Sequence, residues 1–272
     1  MFKNEEIVIH ILSLSIVLSV VISSLFLVIL FIRRYKKIQD EKIIIAYIPI
    51  IDAIIFPMLF NNKPIQVIIE SNDYTIYAKH KKFRRILLQT IIRLHTNYSG
   101  EYNLKLEEFY RDSGLINISK DKLKSNFWSS KCEGIRELSE MSAHESFSDI
   151  HALIHHKNST LKLEALIGII RLKGIIGIAI LNDYHKPIND WIQLNLIYEI
   201  NKTQHTSVYN FSEFLVSKNE SLVLLGLRLI SNFNQVQDIE EVRNLIGSSK
   251  SNRIKEKAEQ TYVKLSSLTF KY

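Results

Sequence analysis

The chain has 272 residues, 46% of them hydrophobic and 23% charged, with a formal net charge of +7. That balance excludes wholesale disorder, and the length suffices for one large domain or two small ones with a buried core. Only 8 glycines and 4 prolines argue against an all-β sandwich or propeller, which needs a turn signal every dozen or so residues.

An all-α fold is therefore expected. Cys132 is the single cysteine, so it has no partner for an intramolecular disulfide or a zinc-binding pair, and it fits a reducing compartment.

Residues Ile7 to Ile32 form an uncharged run of 26 residues whose only strongly polar members are His10 and five serines. As a helix this run would be about 39 Å long against a hydrocarbon core of about 30 Å, long enough to cross with some tilt. A cleaved signal sequence fits less well. Lys3 is opposed by Glu5 and Glu6, the apolar run is too long, and no small-x-small site follows it. Arg33, Arg34, Lys36 and Lys37 come next, and the positive-inside rule puts the short N-terminus outside and residues 33–272 in the cytoplasm. The expectation is a single-pass protein of the inner (cytoplasmic) membrane.

A second apolar stretch, Ile43 to Phe60, contains Asp52, Pro49 and Pro57, and the basic residues Lys79, Lys81, Lys82, Arg84 and Arg85 follow it. A second crossing would bury a carboxylate and export those cations. A soluble, heavily buried helix bent at Pro49 is expected instead. Arg33, Arg34, Lys36, Lys37, Lys81, Lys82, Arg84 and Arg85 are candidate contacts for anionic lipid headgroups, with plain solvated helix faces as the competing reading.

Residues 61–78 form a polar connector with a β-prone patch, Gln66 to Ile69, expected to be a loop, with a strand as the competing reading. Helical spacing of Phe83, Ile86, Leu87, Ile91 and Leu94 predicts a helix over Lys79 to Tyr98, and Glu101 to Arg111 predicts another, closed by Gly114. From Asn126 a period emerges. Helix starts recur at Ser129, Ser159, Asp190, Glu220 and Ser251, and compact residues recur at Gly134, Ala165, Asn195, Gly226 and Ala258, all at intervals of 30–32 residues. The preceding turns repeat as His156-Lys157-Asn158, Ser217-Lys218-Asn219 and Ser249-Lys250-Ser251, with a Ser, Asp or Glu placed to cap the next helix. The expected organisation is 1–32 as outside N-terminus and transmembrane helix, 33–125 as a juxtamembrane helical region capping an array, and 126–272 as the array.

Ser159-Thr-Leu-Lys-Leu-Glu-Ala-Leu-Ile-Gly-Ile-Ile-Arg-Leu and Glu220-Ser-Leu-Val-Leu-Leu-Gly-Leu-Arg-Leu-Ile resemble the HEAT-like family of α-solenoids in its short bacterial form. Together with the N-terminal span, the basic stop and the segment FWSSKCEGIRELSEM, the chain resembles membrane-anchored HEAT-repeat proteins of Bacteroidota. The resemblance covers roughly Phe127 to Leu268, and it departs from the family pattern in lacking the Asp-Pro turn and the Val-Arg pair. It implies an all-α chain with one transmembrane helix followed by a HEAT-like α-solenoid, a scaffold that binds protein partners, in cell-envelope or polysaccharide assembly. In that family the second helix of each repeat lines the binding groove, which makes Lys131, Lys162, Gln193 and Lys255, interrupted by Val223, candidate partner contacts. Ordinary exposed positions of amphipathic helices would show the same spacing.

No GxxxxGK[ST], GxGxxG or GxSxG occurs, so no phosphate cradle or nucleophile elbow is expected, and no catalytic, cofactor or metal residue is assigned. His144, His151 and His155 would share one helical stripe, but no carboxylate stands at ligand spacing beside them and Glu145 completes no HExxH. Trp128 and Trp191 read as packing between repeats rather than stacking surfaces. A HEAT-like lyase, a DNA glycosylase or another nucleic-acid-binding protein is the competing class, and membrane tethering argues against nucleic acid.

Overall fold

The computed structural model describes residues 2–202 and 209–269, with side chains from Leu12 on. The His10 side chain and Tyr272 fall outside that description. The protein is 82% helical, and no strand occurs among the described residues. It divides into two units, Met1–Thr90 and Ile91–Tyr272.

In the first unit a single 59-residue helix, α1 (Phe2–Phe60), is followed by α2 (Ile65–Ile69), α3 (Asn72–Tyr77) and the start of α4 (Lys81–Asn97). Leu12 to Ile32 is apolar and exposed on every side, and among the described residues α1 alone is long and apolar enough to cross a membrane. Further along α1 the burial becomes one-sided. Ile51, Ile54, Ile55, Met58 and Leu59 are buried at i, i+3, i+4, i+7 and i+8, while Asp52 and Phe56 are exposed. Tyr47 and Tyr77 set their rings 5.3 and 5.6 Å from Phe83, joining α1, α3 and α4.

Two expectations are corrected here: the stretch from Ile43 to Phe60 is not heavily buried, since Ile44, Ile45, Ile48, Phe56 and Phe60 are exposed, and residues 66–69 are not a loop. Helix α1 continues through both Pro49 and Pro57 and ends only where Asn62 turns left-handed (φ 52°), with the Lys63 N–H returning to the Pro57 carbonyl at 3.0 Å. Gln66 to Ile69 is helical rather than a loop, because Ile65 and Ile68 are one turn apart and both are buried. The next helix is capped by Ser71, whose hydroxyl accepts from the Tyr74 N–H.

The second unit continues with α5 (Glu101–Asp112), α6 (Leu115–Leu123), α7 (Trp128–Glu140), α8 (Phe147–His151), α9 (Ser159–Lys173), α10 (Asp190–Lys202), α11 (Glu220–Phe233), α12 (Ile239–Ser248) and α13 (Asn252–Thr269). Short 3₁₀ segments, among them Gly174–Leu181 and Phe211–Val216, lie between the longer helices. Gly114 (φ 72°) supplies the left-handed turn between α5 and α6. The five long helices α7, α9, α10, α11 and α13 start at 128, 159, 190, 220 and 252, each within one residue of the start read from the sequence.

The residues that cap three of these helices are not those expected. Asn158, Asn189 and Asn219, one residue before the helix, cap it by accepting from the N–H groups of Leu161, Ile192 and Ser221. Compact residues mark close approaches. A Cβ on Gly134 would sit 2.8 Å from the Ser119 carbonyl oxygen of α6, one on Gly168 2.7 Å from Ile135 of α7, and one on Gly226 2.7 Å from Phe214.

Candidate functional site

Between the long helices of the second unit, polar side chains bridge from one to the next. Arg136 on α7 reaches Glu164 on α9 at 2.6 Å, and Arg171 on α9 reaches Glu199 on α10 at 2.7 Å, both across 28 residues. Arg171 also lies 3.1 Å from Glu140 of α7, so one largely buried guanidinium serves three helices. Arg228 on α11 donates to Gln193 at 2.9 Å and to Asp190 at 2.8 Å, and Arg253 on α13 reaches the same Asp190 at 2.6 Å. Burial works against the charged form of Asp190, but the hydrogen bonds and charges of Arg228 and Arg253 outweigh it and hold the carboxyl below its ordinary value. The Arg136 guanidinium is held more firmly protonated by its hydrogen bond to Glu164.

Of the four candidate partner contacts, Gln193 is corrected. It is 1% exposed: its Nε2 donates to the carbonyls of Ile188 and Ser221, and its Oε1 accepts from Arg228. Its side chain ties α10 to α11 and offers nothing to a partner. Lys131, Lys162 and Lys255 are half-buried, the Lys162 ammonium 5.9 Å from the Tyr184 ring centroid. Val223 is buried.

The tryptophan expectation is overturned as well. Trp128 and Trp191 are both exposed, and Trp191 shares its face of α10 with the exposed Leu194 and Tyr198. At the starts of α10 and α11 a cleft of about 630 Å³ is lined by Asn189, Asp190, Asn219, Ser221 and Arg253 among others.

The histidines do not form the expected stripe. Residues 144–146 are a 3₁₀ turn, α8 ends at His151, and turns follow, so no single helix carries all three. The His151 ring stacks on Phe147 and the His155 ring on Tyr184. No group of three or more metal-ligating side chains occurs among the described residues. Burial pushes the Cys132 thiol up, which keeps it a poor nucleophile.

In the first unit Arg33, Arg34, Lys36 and Lys37 are exposed on α1 directly after the apolar segment. Lys81, Lys82 and Arg85 are exposed on α4, Arg84 is half-buried, and Lys82 pairs with Asp40 of α1 at 2.9 Å. A groove of about 320 Å³ lies there between Asp40, Ile43, Ile44, Lys82, Arg85 and Ile86.

No family model matches the chain, nor does any curated protein or solved structure. What stands is an all-helical protein with a long apolar N-terminal helix.

The bridges were missed in the sequence. Their signal was an acidic residue 28 positions after a basic one, seen in Arg136/Glu164 and Arg171/Glu199, slightly less than one helix-start interval.

Proposed function

We propose that the protein is a non-enzymatic, membrane-tethered scaffold whose HEAT-like solenoid binds protein partners on the cytoplasmic side. The observation that carries this reading is the series of five long helices, evenly spaced in the chain and bridged by side chains, on the same chain as an apolar helical segment, Leu12 to Ile32, exposed on every side. Leu12 to Ile32 spans about 32 Å as a helix, close to the hydrocarbon thickness, and water is a poor solvent for an apolar cylinder of that length. The exposed cations at Arg33 to Lys37, and those of α4, suit the anionic headgroups of the inner leaflet. A helical array of this kind presents a long groove, and Lys131, Lys162 and Lys255 remain candidate contacts along it.

Reporter fusions after residue 45 and at Tyr272 test the topology, and both should report cytoplasm. A periplasmic C-terminus would overturn it. Purification from detergent-solubilised membranes then tests the scaffold: Lys162→Glu with Lys255→Glu should lose a partner that the wild type retains, with helicity unchanged.

A further inference from the structure

The positive charge of the chain is concentrated in two short segments. Residues 33–42 and 79–85 hold ten Lys and Arg against Asp40 and Glu41, so they net +8 where the whole chain nets +7, and all other residues together net −1. The first unit brings the two segments together. Lys82 on α4 pairs with Asp40 of α1 at 2.9 Å across 42 residues, and the fully buried Phe83 sets its ring 5.3 Å from that of Tyr47 on α1.

Most of this charge has no counter-ion within the protein. Asp40 answers Lys82 and Glu41 lies 3.9 Å from Lys37, but Arg33, Arg34, Lys36, Lys81 and Arg85 are exposed and pair with no carboxylate among the described residues. Lys81 and Arg85 stand one turn apart on α4, where like charges repel and a nearby anion relieves them. Height above the membrane decides which anion. Asp40 is eight residues past Ile32, about 12 Å of helix, and the headgroup layer is about 5–8 Å deep on each side. The few ångströms between lie within reach of an extended Lys or Arg side chain and within a screening length of about 8 Å. They are too many for an acyl chain to enter the groove at Ile43, Ile44 and Ile86.

Resting on the membrane-anchor reading above, we infer that the start of α4 is a second, purely electrostatic contact with the bilayer: Lys81 and Arg85, joined by Arg33, Arg34 and Lys36 of α1, face the phosphates of the inner leaflet. The phosphate layer acts as a charged surface. Its charge density is read and its headgroup chemistry is not, so one anionic glycerophospholipid serves as well as another, and salt and lipid composition set how firmly the first unit is held to the leaflet. Nucleic acid fits less well. Its backbone would draw on the same cations, but it would have to enter beside a bilayer whose charge has the same sign as its own.

The test places the full chain in lipid nanodiscs of phosphatidylcholine alone, or with about a third of phosphatidylglycerol or of phosphatidylserine, and reads lysine acetylation by mass spectrometry. In either anionic disc at about 0.1 M salt, Lys81 should react at least about threefold more slowly than in the neutral disc, and the difference should vanish near 1 M salt. Lys63, exposed beyond the far end of α1, should react equally in all three. Arg85→Glu should weaken the protection of Lys81 and Arg85→Lys should keep it, with circular dichroism unchanged in both. Equal reactivity of Lys81 in neutral and anionic discs would overturn the inference, as would protection that survives high salt or that only one anionic lipid confers. Retention of a DNA oligomer by the anionic discs that depends on Arg85 would overturn it too. The anchor is read separately. A chain that stays with neutral discs in 1 M salt while Lys81 goes unprotected in anionic ones keeps its transmembrane helix and loses this contact, whereas a chain that elutes apart from every disc loses both.

Discussion

Two joints between long helices of the second unit differ in what holds them. At α7/α9 the backbones come close: Gly168 leaves no room for a Cβ against Ile135, and Leu138, Ala165, Ile169 and Leu172 are buried. At α10/α11 the work is done by reach. Gln193 spans to Ser221 and Arg228, Asn201 meets Asn232 at 2.8 Å, and a cleft opens beside them. Similar chain spacing thus supports a close-packed joint and a polar-bridged one. The first should respond to volume, the second to lost hydrogen bonds and to charge.

The largest effect should come from Arg171, which serves the close-packed side and the link to α10 together. Arg171→Leu takes the near cation from Glu140 and Glu199 and leaves Glu164 to Arg136 alone, all three carboxylates being largely buried. Leaving buried charges unpaired costs about 3–5 kcal/mol. Chemical denaturation should show a loss of that order. A loss below about 1 kcal/mol would mean that water already reaches the three carboxylates.

Smaller and opposite in character are the effects expected at the two joints themselves. Gly168→Ala puts a methyl group 2.7 Å from Ile135 and should cost about 1–3 kcal/mol by overpacking. Gln193→Leu keeps the volume but deprives the Ile188 and Ser221 carbonyls of a donor and Arg228 of an acceptor, at about 1–3 kcal/mol. Hydrogen exchange separates them. The first variant should speed exchange in α7 and α9, the second in α10 and α11, and the same protection pattern in both would erase the distinction between the joints.

The distinction itself was only half legible in the sequence. Helix starts were readable because the spacing recurs and because Asn158 and Asn219 stand in repeated turns, although the cap was assigned one residue too late. Which face of α10 is buried was not readable, since Ile192, Leu196 and Ile200 form one apolar row and Trp191, Leu194 and Tyr198 another. Periodicity cannot choose between two rows on one helix. Gln193 falls at a groove position by spacing, yet the buried carbonyls of Ile188 and Ser221 draw its amide inward. For α1 the signal held two separate apolar stretches, and the structure joins them in one helix that continues through Pro49 and Pro57.

The smallest expected effect is a pH dependence confined to the polar joint. Asp190 has its folded-state pKa depressed by Arg228 and Arg253, which outweigh the effect of burial. A group depressed on folding contributes stability that is fully present above its unfolded value, near 3.8 for this carboxyl, and that is lost as pH falls through the lower folded value. Acid should therefore loosen α10 from α11 and α13 by protonating Asp190 and releasing both guanidinium groups. Because Asp190 is about half exposed, solvent screening keeps the contribution modest. Asp190→Asn removes the titrating charge while retaining an oxygen for Arg228. The variant should start slightly less stable at neutral pH, and the gap between it and the wild type should close as pH falls below about 4. Following α10 protection by hydrogen exchange across that range checks the sign: a gap that widens in acid would mean that Asp190 gains rather than loses its proton-free advantage on unfolding, and the joint would then owe its bridge to Gln193 and the asparagines alone.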